Sequence, residues 1–336
     1  MFGYNWSRYG KTGNEETEIR MNMPYFDLNV TLCIPTLNPG NFARSLVDAL
    51  KLQTLQPDEI LVIDSSSSDD SIKVFKEIGA KIISINRADF DHGGTRNLAF
   101  EKSMADIYVF LTQDAVPTNP YAIENLVRAL FQNANCALVY GRQVPSVGAG
   151  VFARHARLFN YPAGGDVILK SQEDVPRLGI KAAFCSNSFS AYRYSAIEEI
   201  GYFSANTLFA EDSIAAAKLL QRGWSVGYVP QAIVIHSHDY SLLQDFCRYF
   251  DVGAFHSLNP WYMEFLGKAE DEGNRFVRSE YSYLKQEGVM FPLMRVILRN
   301  GVRWFGYKVG RLHKFLPLAM RRRLSTNEAF WRHMNI

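Results

Sequence analysis

Apolar runs that alternate with helical segments restrict this chain to a narrow class of folds. Residues 30–35, Val-Thr-Leu-Cys-Ile-Pro, read as a buried strand, and Thr36-Leu37-Asn38-Pro39-Gly40 breaks it into a loop. Residues 41–50 place Phe42, Leu46, Val47, Ala49 and Leu50 at helical spacing, and a second strand spans 59–64. Ser65 to Ser68 supply hydroxyls for a turn that caps a helix over 69–78. Gly79 ends it, and residues 80–85 form a third strand. Successive β-loop-α units favour an α/β fold with a mostly parallel central sheet and right-handed crossovers.

The alternation continues. After Asp89-Phe90-Asp91-His92-Gly93-Gly94, Thr95 is expected to cap a helix with Arg96 and Asn97 in its first turn. An arginine there opposes the helix dipole, which suits a hydrogen-bonding or anion-binding role. A strand over 107–111 runs into Gln113-Asp114, followed by a helix over 121–131 and a strand over 137–140. Residues 141–177 lose periodicity among Gly, Pro and aromatic residues, the pattern of a functional loop or lid. Later come a helix over 213–221 and two strands, 224–229 and 233–235, leading into His236-Ser237-His238-Asp239. This organisation predicts an N-terminal extension over 1–28, a catalytic domain over 29–240 and a helical, basic region over 241–336.

A chain of 336 residues that is 47% hydrophobic can build a large core plus a smaller module, which excludes global disorder. The net charge of +2 conceals an uneven distribution. Beyond residue 284, Arg295, Arg299, Arg303, Lys308, Arg311, Lys314 and Arg321-Arg322-Arg323 face only Glu287 and Glu328, so an anionic partner is expected. Phe291, Leu293, Met294, Ile297, Trp304 and Phe305 lie among these cations, as suits adsorption to an anionic membrane surface; packing on the catalytic domain or a homodimer is the alternative. No nucleic-acid motif accompanies the basic tail. The four cysteines are far apart among apolar neighbours, which fits buried thiols in a reducing compartment. With no signal peptide or apolar span, the expectation is a cytoplasmic protein.

Acidic residues at the ends of these elements carry the candidate chemistry. Asp114 closes an apolar run, where open α/β sheets bind ligands, and is the candidate metal ligand. His238 or His236 would complete the coordination of Mn2+, whereas Mg2+ would rely more on water and phosphate oxygens. Asp212, at the start of a helix, is the candidate general base; simple helix capping is the alternative for Glu211-Asp212. Asp64 can accept the N3 hydrogen of uracil or thymine, while Asp69 is read as stabilising its helix. No triphosphate loop, dinucleotide fingerprint or nucleophile elbow is present.

Residues 89–97, Asp-Phe-Asp-His-Gly-Gly-Thr-Arg-Asn, with Thr112-Gln113-Asp114-Ala115, resemble the rhamnosyltransferase branch of the family 2 inverting GT-A glycosyltransferases. Tyr249-Phe250-Asp251-Val252-Gly253 and Ser279-Glu280-Tyr281 are similar to the same branch. The resemblance implies a GT-A nucleotide-sugar-binding fold. It assigns Thr36, Asp64 and Gln113 to the nucleotide pocket, Arg96 and Asn97 to the vicinity of the donor sugar or diphosphate, and Asp212 to the base. Asp114 and His238 would hold Mg2+ or Mn2+. Thr112 stands where many relatives carry the first Asp of an Asp-x-Asp motif. The implied donor is dTDP-L-rhamnose or a related nucleotide sugar, and the implied acceptor a lipid-linked oligosaccharide at the cytoplasmic face of the inner membrane. Nucleotidyl transfer and noncatalytic carbohydrate binding are the competing classes.

Overall fold

A computed structural model describes residues 24–267 and 270–334; most of the expected N-terminal extension lies outside the described residues. The strands are β1 (Val30–Thr36), β2 (Glu59–Asp64), β3 (Lys81–Ser84), β4 (Ile107–Leu111), β5 (Val116–Pro117), β6 (Cys136–Val144), β7 (Ile168–Lys170), β8 (Phe189–Arg193) and β9 (Ser225–Ile235). They form one sheet in the order β3-β2-β1-β4-β8-β6-β9-β5, with β7 on β9. The first four pair in parallel, as the β-loop-α pattern requires. β8 then inserts antiparallel between β4 and β6.

Alternation along β1 sends Leu32 and Ile34 to one face and Cys33 to the other. The first face packs on the helices Asn41–Lys51 and Ala122–Gln132 through Leu46, Val47, Leu126 and Leu130. The second packs on the helix Glu211–Gln221 through Ile214, Ala215 and Leu219. Burial on both faces explains why these strands are continuous apolar runs. Cys33, Cys136 and Cys185 are buried free thiols, and Cys247 is partly buried.

Several boundaries differ from the sequence expectation. Residues 141–177 are not a structureless lid: β6 continues to Val144, and the helix Val151–Asn160, β7 and the short helix Val175–Leu178 follow. The two strands expected over 224–235 are one, β9, whose register against β6 jumps between Val229 and Ile233 and so passes over Pro230. Asp91, not Thr95, caps the helix His92–Lys102, its carboxylate accepting from Gly94 N at 2.7 Å; Thr95 Oγ1 instead accepts from Asp91 N.

Helices dominate after β9, and two of them form the frame of this region. The helix Leu242–Leu258 crosses Pro292–Arg311 so closely that a Cβ at Gly310 would lie 1.9 Å from Phe250 O. Buried charges lock the same region: Arg303 Nη1 meets Glu280 Oε1 at 3.0 Å, Asn300 Nδ2 donates to Glu280 Oε2 at 2.6 Å, and Arg299 pairs with Asp245. Asp251 accepts from Thr326 N at 2.8 Å and ties down the final helices.

Candidate active site

The carboxyl ends of the parallel strands form the floor of the site. Thr36 is paired with Asp64 in register, and both are buried. Gln113, just past β4, is clipped to the end of β1: its Oε1 accepts from Thr36 Oγ1 at 2.9 Å and Leu37 N at 2.6 Å, and its Nε2 donates to Leu37 O at 3.1 Å. That carboxamide is therefore occupied in holding the loop. Asp64 accepts from Ser67 N at 3.1 Å, which fixes its carboxylate at the strand end and leaves lone pairs free. Asp69 accepts from Gly40 N and from Ser71, so it braces the neighbouring loops.

Asp114, one residue on, meets both histidines that follow β9. Its Oδ2 lies 3.5 Å from His236 Nε2 and 3.4 Å from His238 Nε2, and the two imidazole nitrogens are 3.1 Å apart. Gln143 Oε1 accepts from His236 Nδ1 at 2.8 Å, which places the proton on Nδ1 and turns the Nε2 lone pair toward Asp114. Burial opposes ionisation of Asp114, but while the imidazoles are protonated, hydrogen bonding and charge from His236, with charge from His238, outweigh it and hold the carboxyl at about 2. Three potential ligand atoms thus converge within 4.8 Å of one another. Separations of about 3 Å match neighbouring ligands around a divalent ion with bonds of about 2.1 Å. The donor set fits a divalent cation.

The other half of the site is built on the helix Glu211–Gln221. Asp212 Oδ2 accepts from Asn187 N at 3.1 Å and Oδ1 from Ser213 N at 2.7 Å. Burial, and then the adjacent Glu211 charge, push Asp212 up to about 7. Glu211 itself stays low because, against its burial, Arg96 lies 3.1 Å from Oε1 and Asn187 Nδ2 donates to it at 3.2 Å. Arg96 also donates to His92 O at 2.8 Å. Asn97 bonds the backbone of Phe203 in both directions, at 2.9 and 3.0 Å. A Cβ at Gly93 would lie 2.1 Å from Ser204 O, so the glycine is what lets this helix abut the 203–204 backbone. The observed contacts of the 93–97 motif are with the loop that delivers Glu211 and Asp212.

A polar path joins the two halves. His236 leads to Gln143, whose Nε2 donates to Ser186 Oγ at 3.0 Å; Asn187, next in the chain, holds Asp212. Thr112 N also donates to Ser188 O at 3.2 Å, fastening the Asp114 strand to the same loop.

Residues 31–201 match glycosyl transferase family 2. The chain is 42% identical over 309 residues to the O-antigen chain rhamnosyltransferase RfbN of Salmonella typhimurium, covering 91% of this chain and 97% of that protein. The chain belongs to glycosyltransferase family 2. A second relative, the O-antigen chain rhamnosyltransferase WbaN of Salmonella anatum, is 41% identical over 93% of this chain and 97% of its own length. A mannosyltransferase from Pyrobaculum calidifontis, solved with GDP-Man and Mn2+, shares the fold at a TM-score of 0.53 and 14% identity, over 95% of this chain and 91% of that one.

Within this glycosyltransferase, two contributors carry no signal in the sequence. Gln143 follows Arg142 and Asn187 lies between Ser186 and Ser188, with no spacing that marks either as functional. The sequence offers His236 only as an alternative to His238, and the structure brings both to Asp114.

Proposed function

We propose that the protein transfers L-rhamnose from dTDP-β-L-rhamnose to a hydroxyl of a lipid-linked O-antigen saccharide, inverting the anomeric carbon to give an α-linked product. The observation that carries this reading is the match to RfbN across nearly the whole of both chains, combined with a buried carboxylate of raised pKa. Asp64 accepts the N3 hydrogen of the thymine ring. Asp212 takes the proton of the acceptor hydroxyl as its oxygen bonds to the anomeric carbon and the bond to the diphosphate oxygen breaks on the opposite face. Asp114, His236 and His238 hold the divalent cation, which when bound offsets the charge growing on the departing nucleoside diphosphate. Two imidazoles beside one carboxylate favour Mn2+ over Mg2+.

The acceptor's lipid carrier suits the outer face of the helix Pro292–Arg311. Leu293, Met294, Ile297, Leu298, Trp304 and Phe305 are exposed there, and the helix holds no carboxylate. Lys308 sits 5.6 Å over the Trp304 ring, and Arg295 and Arg311 are exposed beside it, an arrangement for an anionic bilayer surface. No described helix is long and apolar enough to cross a membrane.

The test is a donor panel with crude lipid-linked glycan, scored by product and released nucleotide. Release of dTDP with a rhamnosylated glycan supports the reading. Turnover with another sugar nucleotide alone would move the donor assignment, and release of inorganic pyrophosphate would reject glycosyl transfer. Flotation with anionic liposomes, with and without residues 291–336, tests the surface; equal binding of the two forms rejects it.

A further inference from the structure

Beside the Asp114 triad stand two guanidiniums that no carboxylate of the described residues meets within ion-pairing distance. Arg248, exposed on the helix Leu242–Leu258, lies 4.6 Å from the Tyr240 ring centroid. That ring is 5.8 Å from the ring of His238, whose Nε2 is 3.4 Å from Asp114. Arg157 comes from a second element, the helix Val151–Asn160, and rests 5.8 Å from the Tyr161 centroid. It interacts through space with Tyr240, Arg248 and Asp114, while Tyr161 senses Asp212. The Arg157 guanidinium therefore lies within electrostatic reach of the region between the triad and the base.

Neither guanidinium has a hydrogen-bonding or ion-pairing partner among the described residues. Three arginines elsewhere that are buried or partly buried are paired with carboxylates: Arg154 with Glu287 at 2.5 Å, Arg96 with Glu211 and Arg303 with Glu280. Holding two like charges together, one of them half-buried, costs free energy that a bound anion recovers. The anchorage of Arg157 is also built: Asp239 accepts from Gly150 N at 3.0 Å, tying the start of its helix to the histidine loop.

We propose that Arg157 and Arg248 form a diphosphate-binding subsite beside the Asp114 triad. The planar, multi-donor guanidinium suits paired phosphate oxygens. The inference rests on the nucleotide-sugar reading above, in which two diphosphates approach this region, that of the donor and that of the lipid carrier.

Calorimetric titration with inorganic pyrophosphate, without metal, tests the subsite directly. Arg157→Gln and Arg248→Gln should each weaken binding about tenfold, with Lys at either position intermediate. Weaker dTDP binding with unchanged dTMP binding assigns the subsite to the donor. Unchanged dTDP affinity with a raised KM for the lipid-diphosphate acceptor assigns it to the carrier. Equal pyrophosphate affinity in the wild type and both folded variants overturns it. Pyrophosphate binding that depends on both arginines, in a protein that transfers no sugar, would keep the subsite and sink the rhamnosyl reading.

Discussion

Arg96 lies 3.1 Å from Glu211 Oε1, whereas Asp212, the next residue, has no cation within ion-pairing distance among the described residues. Two adjacent carboxylates thus receive opposite treatment. Glu211 is kept ionised, and its charge, after burial, helps keep the proton on Asp212. A base must be deprotonated to act, so kcat/KM should rise with pH through about 7. Glu211→Gln removes the repelling charge, so this limb should move to lower pH in any variant that remains folded. Asp212→Asn should retain donor binding and lose about 10²–10⁴-fold in kcat. Normal turnover of that variant in a direct transfer assay would remove Asp212 from the mechanism.

The triad should respond to changes at Gln143 as well as at its own members. Gln143 is 2% exposed and fixes the tautomer of His236. Gln143→Leu should lower Mn2+ affinity by about 10–100-fold, and Asp114→Asn by at least as much, read by titration monitored through the Mn2+ paramagnetic signal. Unaltered affinity in the Gln143 variant would show that the ring orientation is set elsewhere.

The sequence carried the left half of the sheet and the carboxylates at its edge because each is a local signal. β1, β2 and β4 are apolar runs ended by polar turns, and Asp64 and Asp114 punctuate two of them. The antiparallel insertion of β8 was hidden, since its pairing joins residues some 80 positions apart, such as Ile107 and Arg193. The helix Val151–Asn160 was hidden by the Gly- and Pro-rich segments on both sides of it. The cap of the 92–102 helix is ambiguous in the sequence because Asp91 and Thr95 both offer oxygens, and the chain uses them reciprocally. The link from His236 through Gln143 and Ser186 toward Asn187 exists only in three dimensions.

Glu280 is fully buried, with Arg303 and Asn300 on its two oxygens. Glu280→Ala would leave the Arg303 guanidinium short of a counter-charge, so a loss of about 3–5 kcal/mol is expected, read as a lowered denaturation midpoint. A loss below about 1 kcal/mol would place the pair in contact with solvent.

Acid should loosen the same region. Burial, and then Arg303, push His155 down to about 4; burial, and then Arg311, do the same to His256. Both are neutral in the folded protein near neutral pH. An unfolded histidine takes up its proton near 6.5. Stability from these two is therefore complete above about 6.5 and lost as pH falls toward about 4. His155 faces Ser279 Oγ at 3.0 Å and Glu280 at 4.0 Å, so His155→Gln should retain the polar contact and flatten that part of the pH dependence. Denaturant midpoints of both proteins between pH 7 and 4 would check it; parallel slopes would assign the acid sensitivity to other groups.

The crossing of Leu242–Leu258 with Pro292–Arg311 depends on absent side chains. Gly306 and Gly310, one turn apart, face the carbonyls of Phe246 and Phe250, where added Cβ atoms would lie 2.5 and 1.9 Å from the oxygens. Backbone, unlike a flexible side chain, cannot swing aside. Gly310→Ala must therefore separate the helices, and with them the Asp245, Arg299, Arg303 and Glu280 charges that the crossing brings together. Overpacking costs about 1–3 kcal/mol, and the strained charge network adds to it, so the cost should exceed the gain in helix propensity of about 1 kcal/mol. Gly301→Ala on the same helix meets nothing within 4 Å and should gain stability instead. Melting temperatures of the two variants on opposite sides of the wild type would support the close crossing, and two upward shifts would refute it.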